Sequence, residues 1–166
     1  MSRFWGPHSR FASLIVVAVF ILDQASKAGV LFGLDLLGRE QIHLLPFFDF
    51  VMVWNRGISY GLFEQSDEAG RWLLTIFMLV AAAMLWLWAA RAGTRLLALS
   101  LALIIGGALG NALDRIIYGA VADFARLFWG EASWYVFNLA DAAIVAGVAL
   151  LLYDSLFGDH GKTRNR

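Results

Sequence analysis

The chain has 166 residues, of which 60% are hydrophobic and 16% charged, with a formal net charge of zero and no cysteine. An average soluble domain is about half apolar and about a quarter charged, so the solvent expected around this chain is lipid. The lack of cysteine excludes disulfides, thiolate nucleophiles and Cys-based metal sites, and the balanced charge excludes a basic field for nucleic acid.

Four stretches, 11–32, 72–90, 96–118 and 134–157, are apolar enough and long enough to cross a hydrocarbon core as helices. The expected fold is therefore an all-α polytopic membrane protein of one domain, 1–166, with a small extracytoplasmic β platform between helices 1 and 2. In the first stretch, Arg3 and Arg10 precede an apolar run, as in a cleaved secretory signal. However, Asp23-Gln24-Ala25-Ser26-Lys27 is a poor cleavage site and apolar sequence resumes at Ala28, which favours a retained helix. Segment 41–63 is punctuated by Pro46, Gly57 and Gly61, while Phe48, Phe50, Val51, Val53 and Trp54 favour strand, hence the platform. Trp72, Trp129, Trp134 and Tyr135 fall near expected outer helix ends and read as interfacial anchors.

Basic loops stay in the cytoplasm. Arg3 and Arg10, Arg91 and Arg95, and Lys162, Arg164 and Arg166 assign the N-terminal arm, the turn after helix 2 and the tail 158–166 to that side. Segment 35–70 is acidic, with Asp35, Glu40, Asp49, Glu64, Asp67 and Glu68 against Arg39 and Arg56, and belongs outside together with 119–133. Both termini are then cytoplasmic.

An ionisable group at bilayer depth is costly unless paired or hydrated. Asp23 and Lys27, four apart, share a helix face and read as an ion pair that lets helix 1 insert. Asn111, Asp114 and Arg115 form a polar stripe on helix 3, after Gly106, Gly107 and Gly110, whose small size permits close packing against a neighbour. Asn138 and Asp141 share a face of helix 4, and Asp123 lies just beyond helix 3. With helix 3 running outward and helix 4 inward, Asp123 and Asp141 both fall near the outer interface, where they can meet. Two carboxylates in a low-dielectric cleft share a proton. That arrangement serves aspartic proteolysis, and it equally serves a proton relay or an ion site.

Other chemistries fit less well. Gly57-Ile58-Ser59-Tyr60-Gly61 matches a serine nucleophile elbow, but that motif needs a strand-to-helix turn in an α/β sheet and a triad histidine, for which only His43 is on the right side. Ser26 and Lys27 are adjacent on a helix and point about 100° apart. There is no HExxH for a metallopeptidase. A small proton- or ion-coupled carrier using Asp23, Lys27, Asp114, Asp123 and Asp141 is the rival from another class, but Asp114, Asp123 and Asp141 gather toward one face, and no broken helix marks a midplane site.

Together, several motifs resemble lipoprotein signal peptidase, or signal peptidase II, over nearly the whole chain. They are Asp23-Gln24-Ala25-Ser26-Lys27, Asn55-Arg56-Gly57-Ile58-Ser59-Tyr60-Gly61, the run from Gly106 to Arg115, Val121-Ala122-Asp123-Phe124 and Phe137-Asn138-Leu139-Ala140-Asp141. Ser59-Tyr60 departs from the small residue and Phe or Trp more usual there. The resemblance implies a bacterial inner-membrane aspartic endopeptidase that removes signal peptides from prolipoproteins, cutting just before a diacylglyceryl-modified cysteine. It implies Asp123 and Asp141 as the catalytic pair. Asn55, Gly57, Asn111, Asp114, Arg115, Asn138 and Ala140 would support the pair or bind substrate, with Asp23 and Lys27 in a structural role. It implies no metal or organic cofactor, an active site toward the periplasmic face, and an outer cradle of strands at 41–63 with a short helix around Glu64 to Gly70. Its partners are prolipoprotein and membrane lipid, and nothing in the chain demands more than a monomer.

Overall fold

The computed structural model describes residues 4–39, 41–57, 68–130 and 132–157. Four helices, α1 (Ser9–Ala28), α2 (Glu68–Ala89), α3 (Arg95–Tyr118) and α4 (Leu139–Phe157), are each long and apolar enough to cross a membrane, and the chain is a multi-pass membrane protein. A π-helical turn, Gly29–Gly33, extends α1 beyond Lys27. The outward faces stay apolar, with Leu14, Phe77 and Val145 each more than two-thirds exposed, as a lipid-facing surface requires.

Helix α3 is the core of the bundle. Of its most apolar stretch 61% is buried, against 28% for α1 and 17% for each of the other two. Its sequence explains this, because Ala98, Ala102, Gly106, Gly107 and Gly110 let neighbouring backbones approach closely. A Cβ at Gly106 would press on Val16 and Val19 of α1, and one at Gly107 on the Ala140 carbonyl of α4. On the third side, Ala82 and Ala89 of α2 pack with Leu101 and Ile105 of α3. Thr94 caps the start of α3, its hydroxyl accepting from Leu97 N–H at 3.1 Å. Gly119 ends it in the left-handed region, φ 77°, where a side chain would be strained.

Four strands, β1 (Ile42–Leu45), β2 (Phe48–Asn55), β3 (Val121–Trp129) and β4 (Ala132–Phe137), form one antiparallel sheet in that order. This corrects the sequence reading in two places. The platform is not confined to the connection between α1 and α2: half of it comes from 119–133 and from residues expected to open the fourth crossing. That crossing begins at Leu139 rather than at 134, because Ala132–Phe137 pairs with β3. A hydropathy window cannot separate an apolar strand from the helix that follows it. The segment 58–67, which holds Ser59 and most of the expected short helix, lies outside the described residues; Glu68 to Gly70 open α2.

The central pairing joins β2 to β3, with Val53 opposite Asp123, Asn55 opposite Val121 and Asp49 opposite Arg126. Fully buried Asp49 receives two hydrogen bonds from Arg126, at 2.9 and 2.6 Å, and this contact holds the Arg126 guanidinium above its ordinary pKa. Phe48, Phe50 and Phe124 stack edge-on beneath the sheet, above Val30 and Leu36.

Close approach of α3 and α4 depends on Gly147, where a Cβ would lie 2.6 Å from the Ser100 carbonyl oxygen. Gly147→Ala is expected to lower stability by about 1–3 kcal/mol, read as a fall in melting temperature in detergent. Gly29→Ala, with open space around it, serves as the control and should not lower it.

Candidate active site

Helix α4 begins with Asn138 and Asp141 in a reciprocal cap. The Asn138 side-chain oxygen accepts from Asp141 N–H at 2.9 Å, and the Asp141 carboxylate accepts from Asn138 N–H at 3.2 Å. Local chain geometry thus fixes where Asp141 points. A second partner, Asn111 on α3, donates to the other Asp141 oxygen at 2.8 Å.

Asp123 reaches the same place from the sheet. It is buried, and its two oxygens accept from Asn138 Nδ2 at 2.6 Å and from Asn55 Nδ2 at 3.0 Å. Asn138 therefore touches both acids, and the structure brings Asp123 and Asp141 together around one amide. Burial first, and then the neighbouring Asp141 charge, push the Asp123 carboxyl up to about 7, against the opposing pull of Asn55, Asn138 and Lys27.

Beneath the two acids lies a denser ionic cluster. Lys27 Nζ is 2.8 Å from Asp23, 2.8 Å from Asp114 and 3.0 Å from the Asn111 side-chain oxygen. The sequence pairs Lys27 with Asp23 alone; the structure adds Asp114, which is buried here. Asp23 also accepts from the Ala140 N–H at 2.9 Å, and Asp114 from the Ala122 N–H at 3.2 Å, so they hold the backbone beside Asp141 and Asp123 respectively. Gln24 bridges the two carboxylates, at 3.1 and 3.0 Å. Its place in the first motif is visible in the sequence; its bridging role depends on α3 lying alongside.

Arg115 takes a different part from the asparagines. Its guanidinium donates to the Gly57 carbonyl at 2.6 Å, and its charge acts on Asp123 and Asp141 through space. Gly57 in turn donates its N–H to Asn55 at 3.0 Å, so the strand end that carries Asn55 is tied to α3. Ala140 contributes its backbone, and its small side chain faces Gly110.

Sequence reasoning missed Tyr135. Read as an interfacial anchor, it lies on β4 with its hydroxyl accepting from Asn55 Nδ2 at 2.8 Å. No local spacing marks it, because its role becomes visible only once 132–137 is known to be a strand beside β3.

Two clefts open onto this arrangement. One, of about 260 Å³, lies between α2 and α4, walled by Phe77, Met78, Ile144 and Val145, with Asp141 and Arg115 at its head. The other, of about 230 Å³, lies against the sheet and is lined by Val53, Arg56 and Asp123. Asn55, Gly57 and Tyr135 line both. Among the described residues, no cluster of three or more His, Asp or Glu is placed to share a metal ion.

Comparison with known proteins decides the family. The family described as Signal peptidase (SPase) II matches residues 15–157. This chain belongs to the signal peptidase II family. The lipoprotein signal peptidase of Methylobacterium radiotolerans is 57% identical over 155 residues, covering 93% of this chain and 91% of that one. That of Rhodopseudomonas palustris is 49% identical over 153 residues, covering 90% and 93%. Two solved bacterial membrane enzymes share the fold. One, at 2.3 Å resolution, has a TM-score of 0.77 at 23% identity, covering 94% of this chain and 93% of its own. The second, at 1.9 Å, has 0.71 at 25%, covering 90% and 94%.

Replacing Lys27 by Met leaves Asp23 and Asp114 without their cation. Uncompensated buried charge of this kind costs about 3–5 kcal/mol, so the variant is expected to melt well below the wild type in detergent. Equal melting temperatures would mean that the cluster does not hold the bundle.

Proposed function

We propose that this protein is an aspartic endopeptidase of the bacterial inner membrane that removes signal peptides from prolipoproteins, cutting just before the diacylglyceryl-modified cysteine. The observation that carries the reading is the meeting of Asp123 and Asp141 around Asn138, at the head of a cleft between α2 and α4, in a chain of the signal peptidase II family. The relatives named above are lipoprotein signal peptidases, and the apolar cleft walls suit a lipid-modified peptide arriving from within the bilayer.

The chemistry follows from two acids sharing one proton. The ionised carboxylate takes a proton from water as the water oxygen attacks the scissile carbonyl, and the protonated one donates to that carbonyl oxygen. Collapse of the tetrahedral intermediate breaks the C–N bond. The amine leaves with the proton taken from water, and the carbonyl proton returns to the pair. Water reaches Asp123 from the sheet side, and substrate reaches Asp141 from the lipid side. The reaction uses no metal or organic cofactor, and one copy of the chain holds every group it needs.

In this reading the sheet and both acids face the periplasm and both termini lie in the cytoplasm, an orientation supported by the arginines at the opposite end of the bundle, Arg10, Arg91 and Arg95. The ion-carrier reading loses ground because the buried acids near Lys27 serve as hydrogen-bond acceptors for backbone at one end of the bundle and form no file across it.

The decisive comparison is cleavage of a diacylglyceryl-modified prolipoprotein and its unlipidated form by wild type, Asp123→Asn and Asp141→Asn. Either variant is expected to fold but to lose essentially all cleavage, because Asn fills the same space without exchanging a proton. Wild-type rates from either would falsify the pair as the catalytic acids. The pH profile is a second test. The shared proton is lost as pH rises through about 7, where Asp123 titrates, so kcat/KM should decline through that range; a rate still climbing at pH 9 would contradict the mechanism.

A further inference from the structure

Asp141 borders the cleft between α2 and α4, Asp123 borders the cleft against the sheet, and Asn55 and Tyr135 stand in the wall common to both. Asn55 is heavily engaged: its side-chain oxygen accepts from Gly57 N–H at 3.0 Å, while Nδ2 donates to Asp123 at 3.0 Å and to the Tyr135 hydroxyl at 2.8 Å. An amide held on both hydrogens and on its oxygen has one orientation.

We propose that Tyr135 is a positioning residue for peptide cleavage: its hydroxyl fixes the Asn55 amide, and the fixed amide holds Asp123. The proposal rests on the peptidase reading given above. Tyr135 acts at one remove, through Asn55, and transfers no proton. The fold supplies the rigidity, because Tyr135 comes from β4, Asp123 from β3 and Asn55 from β2, three adjacent strands of one sheet.

Removing the hydroxyl alone separates this role from packing. In Tyr135→Phe the ring remains, and Asn55 keeps Gly57 and Asp123 as partners but loses one of the three contacts that hold it. Its hydrogen bond stabilises the ionised form of Asp123, so loosening it favours the protonated form. Asp141 from α4, Lys27 from α1 and Arg115 from α3 also act on Asp123, and Arg56, just beyond β2, lines the same cleft; the substitution leaves all four in place. The limb of the pH profile that belongs to Asp123 must therefore move toward higher pH.

The test uses the full-length protein in lipid-containing detergent micelles with a diacylglyceryl-modified prolipoprotein, and measures kcat, KM, the pH profile and the melting temperature of wild type and Tyr135→Phe. Expected are an unchanged melting temperature, KM within about twofold, kcat reduced about tenfold, as for one hydrogen bond felt in the reacting arrangement, and an alkaline shift of one limb. An unchanged kcat and pH profile would overturn the proposal, because water then replaces the hydroxyl at no cost. A loss confined to KM would overturn it in favour of direct substrate contact, and a fall in melting temperature without a pH shift would reduce Tyr135 to a structural role. In each of these cases wild type still cleaves and the peptidase reading stands. A folded wild type that fails to cleave sinks that reading, and this inference with it.

Discussion

Lys27 holds its ammonium group almost completely out of water, and the site end of the molecule is arranged around that group. Its three close acceptors are Asp23, Asp114 and the Asn111 side-chain oxygen, which come from α1 and α3. Each acceptor reaches onward to another element: Asp23 to the backbone of Ala140 on α4, Asp114 to that of Ala122 on β3, and Asn111 to the Asp141 carboxylate. One buried charge thereby ties together three helices and a strand. In a medium where an unpaired charge costs several kcal/mol, such a network permits few alternatives, since displacing any member strands another.

That constraint explains how two acids on different elements, a strand and a helix, come to share an amide. Asp141 is set by the cap of α4, and the first turn of α4 is held against α1 through Ala140. Asp123 is set by β3, whose start is held against α3 through Ala122. Asn138 then spans the remaining gap. The same placement creates an electrostatic contest at Asp123. Burial and Asp141 favour the proton, while Asn55, Asn138 and Lys27 favour the charge. A carboxyl balanced near neutrality has the property that general acid–base chemistry requires.

Much of the bundle was legible along the chain. Apolar length marked the helices, and Gly106, Gly107 and Gly110 marked close packing of α3 against a neighbour. Asn111, Arg115, Asn138 and Asp141 showed their shared faces through spacings of three and four. The sheet was half legible, since Phe48 to Trp54 are rich in aromatic and β-branched residues beside a proline, whereas Val121 to Phe124, buried on both faces, carry no such run. A strand of that kind is defined by its partners, and the one that faces Val121 to Asp123 is β2, which lies about 70 residues earlier. Tyr135 was illegible for the same reason, because its aromatic neighbours suit a membrane interface as well as they suit a strand.

The sequence by itself determined that the chain crosses a membrane, which residues are too polar to face lipid, and which of them share a helix face. These follow from composition and local periodicity, and from the cost of moving charge into hydrocarbon. Only the tertiary structure decided that Asp114 joins Lys27, that Asn138 links Asp123 to Asp141, and that Tyr135 holds Asn55. Those choices depend on how closely α3 approaches α1 and α4 and on the register of β2 against β3. Both are set by contacts between segments remote in sequence, and local pattern carries no record of them.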